Sequence, residues 1–498
     1  MGGFWHSAVG LALALAGWLL PRWVAGARRL HWAAILDAAP LAIAALLLML
    51  ATGRPVFAGA VAFALGGGFA FADRTVRDTL REPMLFSAQS ELPQIFTHPH
   101  LYLPFAGTGL VFGGAGAAAL VGLALLVAEP TVATPHPFAM LLTFGAVTGL
   151  LWRTGYEPWL GHAAQAMRWL NPSGEPFADA ARLGPVAILL VYGIVARAER
   201  AARQVRLAPK PMIVESDDPR PVILVQCESF FDARRALPDL PRDILAGYDA
   251  ACASGPYGSL EVPAWGANST RAEFAVLSGI AESALGHDRF NPYHALTRTP
   301  IASQVWRLRA AGYRTICLHP FDRRFYRRDR AMPALGFEEF RGRETLGGSC
   351  IPPYMSDPDL ARHILRVLEE TGPRTFIFAI TMGNHGPWLS KGAEMACYLD
   401  GLAGSDAMLR ILIDGLEERR ADAVLGFYGD HLPSLGRDFA ALGFDDWRSD
   451  YAIWTQGGAA NRQDLAAHHL GRLIADIALA PRKAALRIEP AGIASAAD

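Results

Sequence analysis

The chain has 498 residues, of which 52% are hydrophobic and 19% charged; its net charge is −1 and its mean hydropathy +0.20. A soluble domain is usually about a quarter charged. Length and composition exclude disordered, fibrous and small disulfide-stapled classes, and the near-zero net charge supplies no field that would hold a nucleic acid.

The charge deficit is concentrated at the start. Residues 1–72 carry five formal charges: Arg22, Arg28, Arg29, Asp37 and Arg54. Residues 1–21 read as a first membrane span, with a cleaved leader as the alternative. Residues 32–52 and 55–72 read as a second and a third span. Residues 101–128 are uncharged and long enough to cross with tilt. Residues 137–152 form a shorter fifth candidate and 183–196 a sixth. Segments 73–100 and 153–181 are polar and Pro-containing, which suits either headgroup-layer helices or plain loops. The loops holding Arg22/Arg28/Arg29 and Arg74/Arg77/Arg81 are basic, so the positive-inside rule places them in the cytoplasm. Five spans then leave the C-terminal half inside, and six bring it outside.

Residues 201–220 turn charged and then Pro-containing, the signature of a juxtamembrane helix passing into a linker. Beyond them the pattern alternates. Strands are predicted over 221–226, 313–318, 375–381, 423–428 and 451–455. Helices are predicted over 271–279, 301–311, 357–370, 398–418 and 463–478, with Ser356 as an N-cap. Continuous apolar strands between amphipathic helices predict an α/β domain with a mainly parallel sheet. The fold class is therefore a multi-span helical membrane domain, residues 1–200, a linker, and an α/β domain over 221–498.

Ligands of open α/β sheets gather beyond the carboxyl ends of strands. Four predicted strands end in chemistry-bearing residues: Glu228, His319, His385, and Asp430 with His431. A carboxylate at the end of a buried strand must be paired, metal-bound or neutral, and Asp with His suits Mn²⁺ or Zn²⁺ better than Ca²⁺. In Gly266-Ala267-Asn268-Ser269-Thr270 a turn delivers two hydroxyls to a helix start, where N–H groups favour an anion. Simple N-capping is the plainer reading of that segment. A hydroxyl placed there beside a metal is more readily ionised and becomes a nucleophile. The arginines after His319 match phosphate oxygens. The five cysteines, Cys227, Cys252, Cys317, Cys350 and Cys397, have no CxxC spacing.

The order of these motifs over 221–457 resembles the membrane-bound phosphoglycerol transferases of the lipoteichoic acid synthase and periplasmic glucan type, in the alkaline phosphatase/sulfatase superfamily. That resemblance implies a divalent cation, Mn²⁺ first with Mg²⁺ or Zn²⁺ as alternatives, held by Glu228 of Glu228-Ser229-Phe230, by Ser269, and by Asp430 and His431 of Gly429-Asp430-His431. The family nucleophile is a Thr four residues before a Glu-Phe pair. Counting back from Glu273-Phe274 gives Ser269, a departure that keeps Thr270 open as the nucleophile. His385 of Asn384-His385-Gly386-Pro387 matches a substrate-contacting His. His319 and Tyr326-Arg327-Arg328-Asp329 match a His and an aromatic-x-Arg-Asp motif, which makes Arg328 a phosphate clamp beside Tyr326. The implied activity is transfer of phosphoglycerol from phosphatidylglycerol, through a Ser-linked intermediate, to an extracytoplasmic glycan. The alternatives are a phosphoethanolamine transferase and a non-catalytic headgroup sensor. The sulfatase Cys/Ser-x-Pro-x-Arg signature is missing, which argues against sulfate ester hydrolysis. Acceptors of this kind place the α/β domain outside, and the Arg-rich, Lys-poor composition fits a Gram-negative inner membrane.

Overall fold

The computed structural model describes residues 2–153, 155–214, 219–346, 354–388 and 392–481. The chain folds as two units. One comprises Met1–Arg203 with Gly286–Phe290, the other Gln204–Leu285 with Asn291–Asp498.

Among the described residues of the first unit, four helices are long and apolar enough to cross a membrane: Gly3–Val24, Ala34–Thr52, Pro55–Leu80 and Thr108–Ala128. Pro137–Arg153 is a shorter apolar helix, and Pro176–Leu183 with Pro185–Arg206 forms a pair bent by 120°. Two of the expected runs differ here, and glycine is the reason in both. The run 101–128 breaks at Gly107, whose φ is 76°. The run 183–196 bends at Gly184, with φ 112°, just before Pro185. Glycine accepts these angles without strain, and proline cannot continue a preceding helix.

Glycine also sets the packing of the first helix on the third. A Cβ added at Gly59 would overlap the carbonyl of Gly10, and one at Gly66 the carbonyl of Gly17. Helices in lipid associate by such close backbone approach. Gly66→Val is therefore expected to destabilise the unit by about 1–3 kcal/mol through overpacking. The neighbouring Gly68 meets nothing within 4 Å of an added Cβ, so Gly68→Val serves as the neutral control. Thermal unfolding in detergent compares the two.

Asp37, which sequence placed near the end of a span, is buried and fully engaged. It accepts from Trp18 Nε1 at 3.0 Å, Arg22 Nη1 at 2.9 Å, Val186 N at 2.9 Å and Ala187 N at 3.2 Å. It thus caps the orphan N–H groups that open the helix Pro185–Arg206. Farther along that helix, Arg200 Nη2 pairs with Asp288 at 2.6 Å and Arg203 pairs with the same carboxylate, while the His287 ring stacks on Tyr192.

The second unit is a three-layer α/β/α sandwich. Its strands are β1 (Val222–Cys227), β2 (Pro256–Glu261), β3 (Arg314–Leu318), β4 (Glu339–Arg341), β5 (Thr375–Ile380), β6 (Val424–Gly429), β7 (Ser449–Thr455), β8 (Asn461–Arg462) and β9 (Leu465–Ala466). The order is β4-β3-β5-β1-β6-β7-β2-β8, with β9 also on β2. From β4 to β6 all pairing is parallel; β7 runs antiparallel to both β6 and β2. The sheet is mixed and mostly parallel. Alternate β1 residues enter separate cores. Ile223 and Val225 pack with Leu360, Ile364 and Leu409 on one face, and Val222 and Leu224 with Phe274, Val305 and Ile474 on the other. A strand covered on both faces is mostly apolar, which is why Val222–Val225 is an unbroken apolar run.

The five predicted strands are present within two residues at each end. The expected helix 463–478 begins only at Ala467. Its first residues lie along β2 instead, where Gln463 N donates to the Tyr257 carbonyl at 2.7 Å and Asp464 Oδ1 accepts from Ser259 N at 3.0 Å. Ser356 caps the helix Asp357–Thr371 by accepting from Asp359 N.

Candidate metal and phosphoryl-transfer site

Two strand ends and one helix start build the first cluster. Glu228 follows β1, and Asp430 and His431 follow β6, which pairs directly with β1. After Glu228 the chain turns through Ser229 at φ 57°. The turn lets Ser229 N donate to Asp430 Oδ1 at 2.9 Å and Ser229 Oγ to Glu228 Oε1 at 2.9 Å. The glycine of Gly429-Asp430-His431 does not serve a left-handed turn. A Cβ there would overlap the carbonyl of Phe230, so Gly429 allows the two strand ends to close on each other.

Ser269 opens the helix Ser269–Ser278, delivered by Gly266 at φ 68° and Asn268 at φ 65°. Asn268 is the N-cap residue and makes no side-chain cap. Gly266 bridges to Pro433, tying this turn to the loop after His431. The Ser269 hydroxyl lies 3.3 Å from His431 Nε2. That nitrogen is 3.4 Å from Asp430 Oδ2 and 3.6 Å from Glu228 Oε1. Thr270, next in the chain, is also buried.

The residues present suit a cation. One ligand atom from each of Glu228, Asp430 and His431 lies within 4.8 Å of the others, and all three residues are buried. Asp430 Oδ2 is buried and accepts no hydrogen bond, a position that proteins rarely leave empty. His431 Nδ1 is engaged with the Leu432 carbonyl at 2.9 Å, so the ring presents Nε2 to the cluster. Burial, with Glu228 beside it, pushes the Asp430 carboxyl up to about 6. Two carboxylates crowded in a dry site carry surplus negative charge, which a divalent cation would neutralise.

A second group surrounds Arg328. Burial, with the Arg328 charge beside it, holds His319 well below its ordinary value, so the ring is neutral. Its Nδ1 faces the Ile380 carbonyl at 3.4 Å, and its Nε2 faces Arg328 Nη1 at 3.4 Å. Sequence placed Arg328 as a phosphate clamp. In the fold, two of its nitrogens are already committed to a buried carboxylate that sequence used only as a counting mark, Glu273. Nη2 reaches Glu273 Oε2 at 2.9 Å and Nε reaches Oε1 at 3.1 Å. The guanidinium lies 5.5 Å from the Tyr326 ring centre. Tyr326 and Arg327 both hold left-handed backbone, at φ 55° and 59°, strain of the kind stored where a side chain must be aimed.

The end of β5 joins the two groups. Ile380 supplies the carbonyl facing His319, and Thr381 Oγ1 accepts from Glu228 N at 3.0 Å. His385 lies farther along this loop, half-buried, with its ring 5.8 Å from that of Tyr354. Asp357 accepts from Gly383 N at 3.0 Å and holds the loop's backbone. The site residues that sequence passed over are Glu273, Tyr354, Thr381, Ser229 and Asp357. Glu273 had a readable signal, because it sits four residues after Ser269 and so shares its helix face.

Comparison with known proteins agrees with this architecture. The sulfatase family model matches residues 222–478. A capsular polysaccharide biosynthesis protein of Rhizobium meliloti, RkpI, is 30% identical over 431 residues, covering 80% of this chain and 77% of that protein. Another Rhizobium meliloti protein, named for cyclic beta-1,2-glucan modification, is 28% identical over 242 residues, covering 45% of this chain and 37% of the relative. Among solved structures, the integral membrane lipooligosaccharide phosphoethanolamine transferase A of Neisseria meningitidis matches 94% of this chain and 95% of its own, with a TM-score of 0.55 at 13% identity. That likeness extends the shared fold over the apolar helices as well as the α/β unit.

Proposed function

We propose that this chain, which belongs to the sulfatase family of the alkaline phosphatase superfamily, transfers the phosphoglycerol head group of phosphatidylglycerol to a glycan outside the cytoplasm. The observation that carries the reading is the Ser269 hydroxyl at a helix start, 3.3 Å from His431 Nε2 in the Glu228/Asp430/His431 cluster. A hydroxyl beside three buried metal-ligand groups is the constellation of a phosphoryl-transfer nucleophile.

Glu228, Asp430 and His431, with Ser269, would hold one divalent cation, Mn²⁺ by the chemistry of the donor set. When bound, the cation lowers the pKa of the hydroxyl and offsets phosphate charge. Ser269 Oγ attacks the phosphorus; the bond from phosphorus to the diacylglycerol oxygen breaks, and diacylglycerol leaves with a proton. Phosphoglycerol remains on Ser269, held by Arg328 and His385, with Tyr326 and the neutral His319 beside the guanidinium. An acceptor hydroxyl then attacks phosphorus, gives up its proton and releases Ser269.

Glycan acceptors fit the names of the two Rhizobium meliloti relatives. The catalytic domain, 221–498, is assigned to the outer side of a bacterial inner membrane because such acceptors lie there. Phosphatidylglycerol is preferred to phosphatidylethanolamine as donor because the latter's transferases, by family resemblance, carry several disulfides. Cys227, Cys252, Cys317 and Cys397 are free thiols here, and Cys350 lies outside the described residues. Incubation of the full chain with head-group-labelled phosphatidylglycerol, followed by thin-layer analysis, should show diacylglycerol and labelled glycan. Consumption of phosphatidylethanolamine alone would overturn the donor. No turnover of either lipid, with no cation bound, would favour the headgroup sensor.

A further inference from the structure

Glu273 is a fully buried charge that the mechanism above does not use. Its carboxylate is saturated. Oε1 accepts from the Tyr293 hydroxyl at 2.6 Å and from Arg328 Nε at 3.1 Å; Oε2 accepts from Gln226 Nε2 at 3.1 Å and Arg328 Nη2 at 2.9 Å. The Gln226 amide is itself fixed, because its Oε1 accepts from the Tyr428 hydroxyl at 2.6 Å. Donors from β1 and from the helix Pro292–Leu296, the former fixed in turn by Tyr428 of β6, thus hold one carboxylate still. That carboxylate grips the guanidinium along its Nε/Nη2 edge and turns Nη1 toward neutral His319.

We infer that Glu273 is a positioning residue for phosphate recognition, acting through Arg328. It sits one turn after Ser269 on the same rigid helix. The helix that carries the attacking hydroxyl therefore also carries the carboxylate that holds the guanidinium of Arg328, which comes from another helix, Arg328–Leu335. A bidentate pair supplies direction as well as charge, and placement errors of about 1 Å can cost roughly a hundredfold in rate. The buried pair is thus kept for aim, the role in which such pairs are retained despite their desolvation cost. This inference rests on the phosphoryl-transfer reading above.

The test uses the full chain in phosphatidylglycerol liposomes. Glu273→Gln keeps the shape but turns an amide N–H₂ toward existing donors, freeing Arg328. Its kcat/KM for the lipid should fall at least tenfold, with Mn²⁺ affinity, measured by titration, unchanged. In an Arg328→Lys background, which keeps the charge and loses the fork, the same substitution should change kcat/KM by less than twofold. Full, additive losses in both backgrounds, or a parallel loss of Mn²⁺ binding, would show a merely structural role and overturn the inference. Should Glu273→Gln not fold, Tyr293→Phe replaces it: a threefold loss confined to the Arg328 background supports the inference, and an equal loss in both overturns it. If the unaltered chain transfers no head group, the donor reading fails separately. Calorimetric titration with inorganic phosphate then decides: affinity tenfold weaker in Glu273→Gln supports the positioning role, and equal affinity ends it.

Discussion

Ser269→Ala should reduce head-group transfer by at least about 10³-fold, the scale on which removal of a covalent nucleophile is felt. The hydroxyl stands 3.3 Å from His431 Nε2, and Asn268, not Ser269, occupies the N-cap position. Loss of the oxygen therefore leaves the helix start intact, and stability should change by less than about 1 kcal/mol. Thr270→Ala should stay within about threefold of the unaltered protein. Release of diacylglycerol from labelled phosphatidylglycerol, with a melting curve for each variant, measures both. An active Ser269→Ala beside an inactive Thr270→Ala would move the nucleophile to residue 270.

The second large effect concerns the cation. Chelation should stop turnover, and Mn²⁺ should restore it. Asp430→Asn should abolish that rescue, because Asp430 Oδ2 is a buried ligand oxygen of the cluster that accepts no hydrogen bond. The loss should again be about 10³-fold. A readout independent of activity is available. A ligand that binds the folded chain alone stabilises it by about 2.7 kcal/mol at a hundredfold excess over Kd. The unaltered chain should accordingly melt higher with Mn²⁺, whereas Asp430→Asn should show little shift. Equal shifts in the two proteins would place the ion elsewhere.

The parts of this molecule that sequence exposes are those governed by local chemistry. β1, β5 and β6 are largely apolar because both their faces are covered, and the residues after them gather because parallel strands end together. Glu228, Asp430 and His431 are candidates by that reasoning, and Ser269 by the turn that opens its helix. β2 was not, because Pro256-Tyr257-Gly258-Ser259-Leu260-Glu261 reads as a turn until β7 is there to pair with it. The late start of the helix at Ala467 has the same origin, since residues 463–466 are drawn onto β2 by partners some two hundred positions away. The role of Gly429, to admit the carbonyl of Phe230, appears only in the fold. Arg328 was identified by its motif, but its orientation depends on Glu273, Tyr293 and Gln226, which come from three other parts of the chain. Pairwise closeness between distant segments leaves no periodicity to read.

The glycine seam of the first unit sets an order of events during synthesis. The first helix finds its partner in the third, so it enters the bilayer before the surface it fits has been made. At about 5–20 residues per second, the interval from the end of one to the end of the other is on the order of several seconds. For that time the bare backbone along Gly10 and Gly17 faces lipid or the insertion machinery. A bulky residue at Gly59 or Gly66 would therefore do its damage at birth, as a hairpin that never closes, and would be seen first as low yield in the membrane fraction.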